Sequence, residues 1–356
     1  MSKVNARIQD LVRIFPDGGR GEYLRLDMNE NPEGLPLDFV EDVKKRITPT
    51  YLATYPEPQE LTQALSAYHH LPEDCFALSD GSEMAIKHVF EVFAVSDSNV
   101  VTVAPSFAMY GVFCSMFGVE HRAVAIGQDF RLPTEAFLEA IDEKTSLVIL
   151  LSPNNPVGGV PERDFVEAVL RKAAICDATV VIDEAYHYFC PTSYIEFVPH
   201  YENLIVFRTF SKLFSLAACR LGYAVTSPAN AALLNKVRPT FEVNALALLF
   251  GKAILERTDL RDKLIKKERE GRQYLVRELF AHAYEPIDGG GNYILFRPHK
   301  APQVLELQLK EKKILVKTYG EKSLLHDMLR ISTGSRDIME QFLRVFLPLD
   351  AEEADA

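Results

Sequence analysis

The stretch with the widest chemical reach is Thr209-Phe210-Ser211-Lys212, followed eight positions later by Arg220. A primary amine can form a Schiff base with a carbonyl and then move a proton, while hydroxyls and a guanidinium beside it hold an anion. Taken alone, Lys212 reads first as a solvated loop lysine, since lysine is mostly a surface residue, and the chemical reading draws on the rest of the chain. Asp183 closes the apolar run Val180-Val181-Ile182 and stands three residues before Tyr186. A carboxylate against such a run either caps the next element or meets a specific cationic partner.

Both groups lie where apolar strands end. The chain alternates short apolar strands with helical stretches between about residues 75 and 225, the strands being expected at Phe76–Leu78, Val100–Val103, His121–Val124, Ser146–Leu151, Thr179–Ile182, Leu204–Phe207 and Gly222–Val225. That alternation predicts an α/β fold with a mostly parallel, doubly wound sheet, whose ligands collect at the loops leaving the strand ends. One such loop, Ser79-Asp80-Gly81-Ser82-Glu83, leads from a strand into a helix. It reads as a phosphate seat on free backbone N–H groups or as an ordinary helix N-cap. In the loop after Val103, Phe107 either stacks on a flat ring or fills core. Ser152-Pro153-Asn154-Asn155-Pro156 is a rigid turn offering amide donors.

Three further segments flank this unit. Asn29-Glu30-Asn31-Pro32 is a polar loop that either turns or lines a pocket. Tyr55-Pro56-Glu57-Pro58 is held extended by its prolines and either fixes the direction of Tyr55 or simply connects two helices. Residues 1–20 resemble a short amphipathic helix carrying Ile8, Leu11, Val12 and Phe15. Residues 246–283 are expected to be long helices at the domain junction. Asp288–Asn292, with three glycines, is expected to be a flexible hinge, and the tail Asp350–Ala356 to be frayed. Domains are expected at 46–250 (large) and 251–356 (small), with residues 1–45 packing against the small one.

A formal net charge of −11 over 356 residues argues against a nucleic-acid or anionic-membrane partner. Five scattered cysteines without a Cys-x-x-Cys pair argue against a disulfide framework or zinc cluster and fit a reducing compartment. His69, His70 and His187 lack ligand company, so no metal is expected. No signal peptide or membrane span is visible, and a cytoplasmic location is expected.

Six motifs stand in one order: Asn29-Glu30-Asn31-Pro32, Tyr55-Pro56-Glu57-Pro58, Ser152-Pro153-Asn154-Asn155-Pro156, Asp183-Glu184-Ala185-Tyr186, Thr209-Phe210-Ser211-Lys212 and Leu329-Arg330-Ile331-Ser332. From Leu24 to Ser335 the chain resembles the fold-type I pyridoxal-phosphate enzymes, within them the histidinol-phosphate aminotransferase-like group. The resemblance implies that Lys212 binds pyridoxal 5'-phosphate covalently and shuttles the proton. It implies Asp183 at the ring nitrogen, Asn155 and Tyr186 at the ring oxygen, and Phe107 on the ring face. Gly81, Ser82, Glu83, Thr209, Ser211 and Arg220 would hold the phosphate. Tyr55 would reach the neighbouring subunit of a homodimer. Arg330 would clamp the substrate carboxylate, with Asn31 and Lys317 also on the substrate side.

Departures from the family pattern are Val157 for threonine, Phe107 for tyrosine, Glu83 for aspartate and, bearing on specificity, Lys317 for an arginine that faces the substrate's phosphate. Lysine keeps the charge and loses the planar fork. The expected activity is transfer of an amino group, from glutamate, to a small anionic or phosphorylated keto acceptor. The alternatives are a decarboxylase of a phosphorylated amino acid and a cofactor-binding protein without catalysis.

Overall fold

The structure is a computed structural model that describes residues 3–9, 11 and 18–351. Its strands, in chain order, are β1 (Leu24–Arg25), β2 (Phe76–Ser79), β3 (Asn99–Ala104), β4 (Glu120–Ala125), β5 (Thr145–Leu151), β6 (Thr179–Asp183), β7 (Leu204–Thr209), β8 (Gly222–Thr226), β9 (Tyr293–Phe296), β10 (Ile314–Leu315) and β11 (Leu329–Ser332). Seven of them form the main sheet in the order β2-β8-β7-β6-β5-β3-β4. Only β8 runs against its neighbours, while the other pairings are parallel. The interior strands are near-continuous Val/Ile/Leu runs buried on both faces, as a parallel sheet under two helix layers requires. At the edge, β4 alternates between exposed and half-buried residues.

This topology brings the ends of β2, β3, β5, β6 and β7 to one side. Register then fixes the neighbours there: Leu151 pairs with Asp183, and Gly222 lies between Ser79 and Thr209. Loops far apart in sequence therefore open onto one rim.

A second, smaller core joins Leu26 to Leu275, Ile294, Phe296, Ile331, Phe342 and Phe346. It gathers β1 beside β10 and β9 beside β11, so the N-terminal segment is stitched to the C-terminal part of the chain. Helix Thr258–Ala281 serves both cores, with Leu260 and Leu264 in the large one and Leu275 and Leu279 in the small one.

The structure alters three expectations. The glycine run at 289–291 is docked instead of free: the Gly159 N–H donates to the Gly289 carbonyl at 3.0 Å. A Cβ on Gly289 would come within 2.2 Å of the Gly158 Cα, so only a glycine pair lets these two backbones meet. Asp350 is likewise ordered, while residues 352–356 of the expected tail lie outside the described residues. Helix Arg336–Ala351 carries it to a buried position, where it accepts from the Tyr284 hydroxyl at 2.6 Å and from the N–H groups of His299 and Lys300 at 2.9 Å. Near the start, the helix spans Ala6–Gln9 among the described residues with Ile8 exposed, while Val12 and Phe15 lie outside the described residues. Among the described residues no helix is long and apolar enough to cross a membrane.

Candidate active site

Lys212 stands on the loop leaving β7, and its Nζ donates to the Met28 carbonyl at 2.9 Å. The amine lies 5.7 Å from the centre of the Tyr186 ring. Its pKa is brought down to about 8, first by burial and then by the Arg330 charge, against the opposite pull of Glu30. An amine near neutrality is available both as nucleophile and as base.

Asp183 ends β6 and is buried. It accepts from the Tyr110 hydroxyl at 3.0 Å and the Ala185 N–H at 3.1 Å. Burial raises its pKa to about 6. No cationic side chain is bonded to it among the described residues, so its charge is available to a positive group brought into the site. Its neighbour Glu184 serves the framework, pairing with buried Arg208 at 2.7 Å and accepting the Tyr194 N–H at 2.6 Å.

Tyr186 is buried, and its hydroxyl accepts from Asn29 Nδ2 at 3.0 Å. Arg330, on β11, donates to Asn155 Oδ1 at 2.6 Å and to the Asp27 carbonyl, over the ring of Tyr293. Its Nε is buried without a partner. The backbones of Lys317 and Arg330 exchange hydrogen bonds of 3.0 and 2.9 Å, which puts both cations on one face of that antiparallel bridge. The Lys317 side chain is exposed.

Arg220 closes on the backbone where β2 passes into helix Ser82–Phe93. Gly81 has φ 80°, and a Cβ there would come within 2.5 Å of Arg220 Nη2, so the missing side chain leaves the guanidinium room against the backbone. The Gly81 N–H is not a free donor, because it bonds the Ser79 carbonyl at 2.8 Å. Gly81 thus supplies conformation and space, and the helix's first-turn amides, beginning with Ser82 and Glu83, supply donors. Ser211 is buried, and its N–H is tied to Thr209 Oγ1 at 3.1 Å. The Asp80 N–H is fixed by Glu242 Oε1 at 2.8 Å, and Glu242 in turn lies 3.2 Å from His88 Nε2.

Phe107 is half-buried and packs edge-on against Tyr110 at 5.7 Å. Asn31 donates to Ser215 Oγ at 2.8 Å, bracing the Lys212 loop. Tyr55 stands apart within its own chain, 72% exposed and stacked on Phe241 at 4.3 Å. Reading by sequence missed Asn29, Tyr110 and Glu242 as individual contributors. The first two lie inside stretches it singled out, whereas Glu242 carries no local signal. It also missed buried Glu268, which shares a small cavity with Lys212, Asn31 and Asn292. Glu268 accepts from Thr333 Oγ1 at 2.6 Å, and burial raises its pKa to about 7.

Lysine, buried carboxylate, phenol, amide and an arginine-backed cup at a helix N-terminus match, group for group, a flat pyridine ring bearing an aldehyde, a basic nitrogen, a phenolic oxygen and a phosphate. Fold and site together define a protein of the fold-type I pyridoxal-phosphate class. The family model for aminotransferase class I and II matches residues 21–346. The chain is 32% identical over 333 residues to histidinol-phosphate aminotransferase 2 of Nitrosococcus oceani, covering 91% of each. Its fold superposes on histidinol-phosphate aminotransferase of Sinorhizobium meliloti, solved in complex with pyridoxal-5'-phosphate, with a TM-score of 0.85 at 23% identity over 98% of this chain and 99% of that one. It also superposes on L-threonine-O-3-phosphate decarboxylase of Porphyromonas gingivalis, with a TM-score of 0.76 at 20% identity over 92% and 99%. The chain belongs to the aminotransferase class I and II family and is a pyridoxal-phosphate-dependent aminotransferase.

Proposed function

We propose that the protein moves an amino group from an amino-acid donor, glutamate foremost, to a small phosphorylated keto acceptor of the kind histidinol-phosphate aminotransferases use. The observation that carries this is the placement of Arg330 and Lys317 opposite each other on one face of their antiparallel bridge, with the Arg330 charge acting on the Lys212 amine. Arg330 takes the carboxylate in its planar fork, exchanging the bond to Asn155 for the substrate. Lys317 meets a second anionic group as a point charge, which tolerates more than one phosphate position than an arginine fork would.

When bound, pyridoxal 5'-phosphate supplies an electron sink for charge released at the substrate Cα. Lys212 would anchor it and move the Cα proton. Asp183 would keep the ring nitrogen charged, Tyr186 and Asn155 would bond the ring oxygen, and Phe107 would cover a face. The Ser82 and Glu83 amides, Thr209, Ser211 and Arg220 would hold the phosphate around the space left by Gly81. Asn31 keeps the Lys212 loop in place on the substrate side. Residues 46–250 form the platform for the cofactor, and residues 251–356 with 1–45 form the part that carries Arg330. The working unit is a cytoplasmic homodimer in which Tyr55 serves the partner's site.

The test is to add glutamate to the purified protein, follow the cofactor spectrum and assay 2-oxoglutarate, then offer phosphorylated ketones as acceptors. Release of 2-oxoglutarate with conversion to the amine form of the cofactor supports the proposal. Carbon dioxide from a phosphorylated amino acid, without net amino transfer, replaces it with the decarboxylase.

A further inference from the structure

Three consecutive residues of the N-terminal segment each touch a different working group. The Asp27 carbonyl accepts from Arg330, the Met28 carbonyl accepts from Lys212, and the Asn29 side chain donates to Tyr186. Of the three, Asn29 alone does so through its side chain, and every polar group it has is occupied. Its N–H donates to Ser332 Oγ at 2.8 Å, and its carbonyl accepts from Asn292 Nδ2 at 2.9 Å. Its Oδ1 accepts from Ser332 Oγ at 3.3 Å, which leaves Nδ2 to the Tyr186 hydroxyl at 3.0 Å. The residue is 1% exposed and sits at φ 56°, a left-handed conformation that asparagine tolerates better than most residues. Ser332 and Asn292 flank the small core and Tyr186 belongs to the large one, so Asn29 is a joint between them.

We propose that Asn29 is a positioning residue for Tyr186, fixing the direction in which that hydroxyl donates and strengthening it as a donor. This rests on the reading that Tyr186 serves the cofactor's ring oxygen. A phenol that accepts from an amide has its oxygen lone pair engaged, so its own hydrogen turns away from the amide and becomes more acidic. Burial raises the Tyr186 pKa to about 12, and the bond from Asn29 acts in the opposite direction. A stronger donor at the ring oxygen draws electron density from the conjugated imine and lowers the pH at which its nitrogen loses its proton. Asp183, Lys212, Arg330, Tyr110, Tyr293 and Tyr319 also face Tyr186 and are left unchanged in the variants below.

Two substitutions separate the amide from the backbone. Asn29→Gly keeps the positive φ without strain and removes the amide. Asn29→Asp keeps the shape and replaces the donor with an acceptor, so the phenol's hydrogen is drawn away from the ring oxygen. The readout is the pH titration of the visible absorbance of the pyridoxal-phosphate-loaded protein, with Tyr186→Phe as reference and cofactor affinity and thermal midpoint measured alongside. The expected result is an upward movement of the titration midpoint in Asn29→Gly, by a few tenths of a unit to about one unit, and a larger one in Asn29→Asp. Tyr186→Phe should move it at least as far as Asn29→Gly. A midpoint that moves in Tyr186→Phe and stays in both Asn29 variants overturns the inference alone. A midpoint unmoved in all three overturns it together with the assignment of Tyr186 to the ring.

Discussion

Lys212 owes its reactivity to its surroundings. A folded pKa near 8 below the usual lysine value means that the unfolded chain binds more protons between about pH 8 and 10.5, so the amine's cost to stability is present below pH 8 and relieved across that window. Lys212→Ala should remove covalent cofactor retention after borohydride reduction and lower amino transfer by at least the 10²–10⁴-fold of a lost general base. Wild-type turnover in that variant would remove the lysine from the mechanism. Glu268 gives the opposite case. Its carboxyl titrates near 7 in the fold and near 4.5 unfolded, so the folded state binds more protons between those values and stability falls as pH rises through them. Glu268→Gln should therefore stabilise the protein on the order of 1–3 kcal/mol at pH 8 and leave it unchanged at pH 4.5. Denaturant titrations at the two pH values check this, and an equal gain at both would deny Glu268 its titration.

At the scale of elements, two close approaches to glycine backbone hold the site together. The β2-to-helix junction depends on Gly81, whose positive φ and missing Cβ admit Arg220. Gly81→Ala should weaken pyridoxal-phosphate binding by about tenfold or more, roughly 1.4 kcal/mol, while the far-ultraviolet circular dichroism stays that of the wild type. Unchanged affinity in equilibrium dialysis would mean that Arg220 is not needed at the cup. The meeting of Gly158 with Gly289 locks the turn after β5 to the approach to β9. A methyl at Gly289 has backbone, not a flexible side chain, in its way, and should cost about 1–3 kcal/mol. The urea midpoint is the measurement, and a neutral result would show that these segments separate freely.

For the molecule as a whole, a chain of net charge −11 holds Lys212 within the field of two further cations, Arg330 and Arg220. Such a contrast concentrates field at the cleft and favours anionic substrates, with kcat/KM falling as salt rises. The proposed dimer makes a sharper prediction through Tyr55, which is exposed on Phe241 in the single chain. Mixing Lys212→Ala and Tyr55→Ala subunits should create heterodimers with one intact site and more activity than the sum of the two parents. Verified heterodimers that show no gain would place Tyr55 outside the partner's site.

The alternation of apolar runs and helical periods pointed to the α/β class and to all seven strands of the main sheet within a residue or two, most firmly to β5, β6 and β7, because parallel strands buried on both faces must be continuously apolar. Lys212 and Asp183 drew attention by residue type at strand ends, while Asn155, Tyr186 and Arg330 entered through the motifs that carry the family resemblance, and their roles toward the cofactor belong to the proposed function. Tertiary structure alone decided what each of them touches. Nothing local says that Asn29 meets Tyr186 across 157 positions, that Glu242 reaches the backbone of Asp80, or that the glycines before Asn292 are a docking contact instead of a hinge. Those outcomes depend on strand order and on how closely two backbones approach, which are set by long-range packing. The same holds for the pKa values of Lys212 and Glu268: their residue types were visible from the start, but the burial that moves them exists only once the two cores have closed around them.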